Sequence, residues 1–133
     1  MILLDTHIWH WWVNQIPRKL TQATIKLIEE STEVGVSAIS CFEMAWLVRH
    51  NRINLGMDFN EWLRQVEQPQ IVEFIPVTSW IGVKAVALPE HHKDPQDRII
   101  IATALQYKAN LISFDTQFPL YQELDGCLIN KNL

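Results

Sequence analysis

The stretch "HHKDPQDRIIIATALQ", residues 91–106, reads as the start of a helix. Asp94 suits the N-cap, Pro95 the first helical position and Asp97 the third. Two acids there complement the positive end of the helix dipole. The apolar residues that follow predict a long helix to about Ala109, with the strand "LISF" (111–114) and Asp115 after it. Asp97 therefore fits a capping role. It also fits half of a chemical site, depending on which carboxylates the fold brings beside it.

Working outward, the chain repeats this alternation. "ILLD" (2–5) is a short apolar strand ending in an acid, and residues 6–14 look helical. "TQATIKLIEEST" places Ile25, Leu27 and Ile28 at helix-like spacing. "EVGVSAIS" offers a strand from Val34 to Ala38, and Ser40 with Glu43 reads as a capping box opening "CFEMAWLVRH". Asp58 and Glu61 repeat that signature before "FNEWLRQVE". "IVEFIPV" reads as a strand, Thr78 or Ser79 as the cap of "WIGVKAVAL", and "CLI" (127–129) as a final strand. Strands alternating with helices imply an α/β three-layer sandwich, with a mostly parallel sheet of about four or five strands covered on both faces. Crossovers in such a sheet are right-handed, and sites lie outside the C-terminal strand ends.

The 133 residues suit a single domain over 1–133 with a real core, and 48% hydrophobic with 20% charged residues is an ordinary globular balance. No apolar stretch approaches a membrane span, and "MILLDTH" lacks a basic leader, so a cytoplasmic protein is expected. Cys41 and Cys127 form neither metal spacing nor a disulfide framework; buried free thiols are expected. A net charge of −4 argues against broad electrostatic adhesion to nucleic acid. It leaves room for a metal-dependent nuclease, which needs a concentrated acidic pocket. The basic groups in "PRK" (17–19), "RHNR" (49–52) and "HHK" with Arg98 fit solvated faces, or phosphate contacts.

Four acids stand where this fold puts its chemistry. Asp5 and Asp115 follow strands, Glu43 opens the helix after the second strand, and Asp97 opens the helix before "LISF". Glu43 and Asp97 also have explanations as first-turn acids, and Asp115 as an Asx turn in "FDTQ". Asp5 has no basic neighbour in sequence and no evident structural use. Crowded carboxylates repel and raise one another's pKa unless a cation joins them. Hard oxygen donors select Mg²⁺ or Mn²⁺, which suits phosphodiester hydrolysis.

The set "LLDTH", "SAISCFEMAWL", "HHKDPQDRIIIATA" and "LISFD", spanning nearly the whole chain, resembles the PIN domain of VapC-type toxins in bacterial toxin–antitoxin pairs. The resemblance implies a Mg²⁺-dependent endoribonuclease (Mn²⁺ is an alternative) leaving 5′-phosphate and 3′-hydroxyl ends. Asp5 and Asp97 would be the principal metal ligands. Asp115 would complete the pocket or hold a second ion, and Glu43 would orient the attacking water. Thr6 would stand beside the metal, Asp94 would cap its helix, and Arg98 would support the site or contact phosphate. The implied partners are RNA, a VapB-type antitoxin and a second copy of the chain as homodimer. A non-catalytic PIN-like module that binds RNA or protein is the alternative.

"HIWHWWV" (7–13) is the other unusual stretch. Trp9 and Trp12, three apart, fit an inward pair that leaves Trp11 less covered. The cluster suits either core packing or a protein interface, with base stacking a further use. His7 and His10 share a helical spacing that can hold zinc but lack a third ligand, and His91 and His92 fall near the predicted site. An aspartyl phosphotransferase fits poorly, because the second acid its pattern wants after Asp5 is replaced by His7. A receiver domain fits poorly too, since "LISFD" ends in an acid where a lysine is needed.

Overall fold

A computed structural model describes residues 1–133. Five strands, β1 (Ile2–Leu4), β2 (Val34–Ser37), β3 (Glu73–Ile75), β4 (Asn110–Ile112) and β5 (Leu128–Ile129), form one sheet in the order β3-β2-β1-β4-β5. Every pairing is parallel. Six helices connect and cover them: α1 (Thr6–Val13), α2 (Gln22–Glu30), α3 (Ala38–Arg49), α4 (Phe59–Glu67), α5 (Ser79–Ala87) and α6 (Pro95–Tyr107). The expected α/β sandwich is the one observed. No helix is long and apolar enough to cross a membrane.

Period-two alternation along the strands divides the core. Leu3 and Leu111 face a layer with Ile81, Ile100, Ile101, Phe118 and Tyr121, under α5 and α6. Ile2, Leu4 and Ile112 face the other side, against Ile8, Trp9, Ile28, Met44 and Trp62 from α1 to α4. At Gly35 a Cβ would stand 2.8 Å from Ile75 Cδ1, so the β2–β3 seam accepts no side chain there without displacing Ile75.

The caps mostly follow the sequence reading. Asp58 accepts from Asn60 N and Glu61 N, and Thr78 from Ile81 N. Asp94 accepts from Gln96 N at 2.8 Å, with Pro95 at the first helical position and Asp97 in the first turn. The exception is α3. Its N-cap is Ser37, whose Oγ accepts from Ile39 N at 3.2 Å, so β2 passes into α3 without a loop. Ser40 lies inside the first turn and Glu43 one turn further on. The expected Ser40–Glu43 capping box does not form, because the strand ends one residue before Ala38 and the helix starts sooner. The strand in "IVEFIPV" shortens to Glu73–Ile75 at the sheet edge, and α6 stops at Tyr107, where Lys108 takes a left-handed conformation (φ 51°).

The strand order places β1 in the centre, with β2 on one side and β4 on the other. Chain direction across the sheet reverses here, and in open parallel sheets that reversal leaves a crevice above the strand C-termini. Both Asp5 and the segment Ser113–Asp115 emerge at this point.

Candidate active site

Asp5 follows β1 directly and is 6% exposed. Its Oδ1 accepts the Ile8 N–H at 2.8 Å, so Asp5 is the N-cap of α1, a structural role the sequence reading had not given it. Burial pushes its carboxyl up to about 6, against the opposing pull of hydrogen bonds from Ser113 and Ile8. Its neighbour Thr6 is buried and donates from Oγ1 to Ser40 Oγ at 2.8 Å, tying the start of α1 to the start of α3. With Ser40 so engaged, and Ser37 as the cap, Glu43 has no part in ending its helix.

Asp97 answers the question posed by its helix start. It caps nothing itself, since Asp94 supplies that bond, and its side chain is 18% exposed. Burial, then the charges of Asp94, Glu43, Asp115 and Asp5, push its carboxyl up to about 8. The start of α6 therefore lies over the same strand ends as Asp5. Asp115 closes the group. Its Oδ1 accepts the Gln117 N–H at 2.7 Å, the expected Asx turn, while Oδ2 lies 3.4 Å from the same histidine nitrogen that Asp97 contacts.

All four acids, with Thr6, Asp94, His7, Ile8, Trp11 and Phe114, line one cavity of about 330 Å³. They arrive from four separated segments of chain. The donor set is hard and anionic, with two carboxyls driven toward the neutral form by burial and mutual repulsion. A divalent cation relieves both penalties, so the residues fit Mg²⁺ or Mn²⁺.

Arg98 is placed differently from a phosphate contact. Its guanidinium donates to four carbonyls, those of Val86, Leu88, Pro89 and His92, at 2.7 to 3.1 Å. It thus binds the α5–α6 connector to α6 and reaches the acids only through that connector. The residue that the sequence placed near the site without giving it a role is His92. Its Nε2 lies 2.7 Å from Asp97 Oδ2 and 3.4 Å from Asp115 Oδ2. The only signal was its place just before the helix start, which does not say where a ring turns. His91 is exposed instead and packs edge-on to Tyr121.

The tryptophans split. Trp9 is fully buried, while Trp11 and Trp12 are both half-buried, so of the expected inward pair only Trp9 is fully covered, packed on Trp62 and Phe74. Trp11 and Trp12 line a groove of about 830 Å³ with Ile16, Leu55, Met57 and Ile71. Trp11 also lines the acidic cavity, so the two depressions adjoin. Cys41 and Cys127 are free, and half-buried rather than buried.

The PIN domain family matches residues 2–124. Ribonuclease VapC22 of Mycobacterium tuberculosis is 38% identical over 115 residues, 86% of each chain. Among solved structures, VapBC2 from Rickettsia felis, bound to a promoter DNA fragment, superposes with a TM-score of 0.72 at 17% identity, over 99% of this chain and 100% of that one. FitAcB from Neisseria gonorrhoeae gives 0.68 at 19% identity, over 98% and 97%. A toxin–antitoxin complex from Klebsiella pneumoniae gives 0.65 at 19% identity, over the whole of both chains. Family match, sequence relative and fold agree: the chain belongs to the PIN-domain family, in its VapC group.

Proposed function

We propose that this protein is a divalent-cation-dependent endoribonuclease, the toxin of a VapBC-type pair acting in the cytoplasm. The observation that carries the reading is the convergence of Asp5, Glu43, Asp97 and Asp115 in one cavity at the sheet's reversal point. The named ribonuclease relative supports the activity, and the complexes among the structural relatives support an antitoxin partner.

Asp5 and Asp97 would hold Mg²⁺ or Mn²⁺, with Asp115 completing the set. A cation held by them would supply Lewis acidity, making water easier to deprotonate and offsetting charge on the phosphate. The protein's own groups do the rest. Glu43, free of capping duty, faces the cavity and orients the attacking water, taking its proton as the phosphorus–oxygen bond forms. The hydrogen bonds to Asp5 Oδ1 and Asp115 Oδ1 fix those carboxylates before substrate arrives, so little reorganisation is needed during the reaction. The phosphorus–O3′ bond breaks as the new one forms, and the departing 3′ oxygen takes a proton from solvent, leaving a 3′-hydroxyl and a 5′-phosphate. Single-stranded RNA or exposed loops suit an open cavity, since unstacked strands can reach it.

The adjoining groove lined by Trp11, Trp12 and Ile71 suits the antitoxin, which would fold an apolar segment into it beside the acids. Self-association, the other expectation, has a basis in α5, whose Trp80, Val83 and Val86 present apolar side chains to solvent. Incubation of purified protein with RNA and Mg²⁺, then with EDTA, tests the activity, with Asp5→Asn excluding contaminating nucleases. Cation-dependent cuts absent from Asp5→Asn are expected. Binding of RNA without cuts would favour the non-catalytic module.

A further inference from the structure

We propose that His92 is a positioning residue: its imidazole bridges Asp97 and Asp115 through Nε2 and fixes how these carboxylates meet the cation. The inference rests on the metal-site reading above. Asp97 belongs to α6 and Asp115 to the segment after β4, and the ring joins them through Nε2 at 2.7 and 3.4 Å.

The ring is held from every side that the structure shows. Asp94 N–H donates to Nδ1 at 3.3 Å, so Nδ1 carries the lone pair and Nε2 the hydrogen. The His92 N–H donates to the hydroxyl of the fully buried Tyr121 at 2.9 Å, and Arg98 Nη1 donates to the His92 carbonyl at 3.0 Å. Phe118 meets the ring edge-on at 6.1 Å. Arg98 therefore acts on the acids at one remove, through the backbone that carries this ring.

The tautomer decides the role. A metal ligand needs a lone pair on Nε2, which moves the hydrogen to Nδ1 and sets it against the Asp94 N–H, donor facing donor. An Nε2–H avoids it, and joins two carboxyl side chains from separate segments of the chain. Partners of this kind orient metal-binding carboxylates, and their loss typically costs about 10- to 100-fold in metal affinity.

Two measurements test the proposal. Long-range ¹H–¹⁵N correlation on ¹⁵N-histidine protein at pH 8 reads the tautomer directly. The His92 Nε2 is expected to be pyrrole-like and Nδ1 pyridine-like, with and without Mg²⁺. An Nδ1–H tautomer, or a pyridine-like Nε2 on adding Mg²⁺, would overturn it. Electron paramagnetic resonance of free Mn²⁺ then gives affinity. His92→Ala is expected to bind Mn²⁺ about tenfold more weakly or worse. His92→Gln, whose amide N–H can replace the bridge, is expected to stay within about threefold of wild type. His92→Ala binding as tightly as wild type would overturn the positioning role while leaving the metal site intact. Wild type that takes up no Mn²⁺ would instead defeat the metal site itself, and the proposal with it.

Discussion

Replacing Asp97 by Asn is expected to stabilise the cation-free protein at neutral and alkaline pH while abolishing its chemistry. Burial and the facing acids raise the Asp97 carboxyl to about 8, against 3.8 for the ordinary group. Between those values the folded chain keeps a proton that the unfolded chain releases. Stability therefore falls as pH rises through this window, by up to about 1.4 kcal/mol per pH unit, and levels off above about pH 8. The full difference would be on the order of 5 kcal/mol. The side chain is 18% exposed and its neighbours can relax, so a cost of about 1–3 kcal/mol is the working figure. Asn is nearly isosteric, stays neutral and leaves the Asp94 cap untouched. For a chain of this length the gain corresponds to roughly 4–10 °C in Tm at pH 8.5. Calorimetry in EDTA from pH 5 to pH 9 measures it. Asp5, raised to about 6, adds a slope of the same sign to both proteins below about pH 6, so the comparison is read above pH 7, where Asp97 dominates. A variant less stable than wild type at pH 8.5, or one with a parallel profile, would refute the reasoning.

Three further outcomes are expected. Asp5→Asn keeps an acceptor for the Ile8 N–H, so it should unfold in urea no earlier than wild type yet lose RNA cleavage at least 100-fold; Asp5→Ala should also lose about 1 kcal/mol with the cap. Cleavage retained by Asp5→Asn would remove that residue from the site. Arg98→Lys replaces a planar fork serving four carbonyls by a single ammonium and should cost about 2 kcal/mol in urea unfolding; an unchanged midpoint would show that the connector holds without it. Ile71→Asp in the groove should weaken antitoxin binding at least tenfold in calorimetric titration and leave RNA cleavage by the free protein unchanged. Equal loss of both would assign the groove to RNA.

The layers of this fold are legible because apolar period and caps agree. "DPQD" before "RIIIATAL" leaves no alternative to a buried helix, and "ILLD" and "LISFD" mark strand ends by their acids. What the sequence hides is where one element passes into the next. Ser37 and Ser40 are both competent caps three residues apart; Ser37 takes the role because β2 ends on it, while Ser40 is engaged by Thr6, 34 residues away, and Glu43 is left free. Asp5 was readable as chemistry but not as a cap, since its bond to Ile8 exists only once α1 starts immediately after β1. His92 was the hardest. Its neighbour His91 has the same local chemistry, and their opposite fates are set by Tyr121 and Arg98, 29 and 6 residues away. In "HIWHWWV" helical spacing marked Trp9 and Trp12 as inward, and both meet the same core layer, but only Trp9 is fully buried, because Trp62 and Phe74, remote in sequence, pack its ring.

The central claim is that these carboxylates form a divalent-cation site. Anomalous diffraction from crystals soaked in Mn²⁺ tests it most directly. The expected result is a peak in the cavity within coordination distance of Asp5 and Asp97, about 2.0–2.3 Å, and no such peak in Asp97→Asn crystals. Manganese bound elsewhere, with that cavity empty at saturating concentration, would contradict the account.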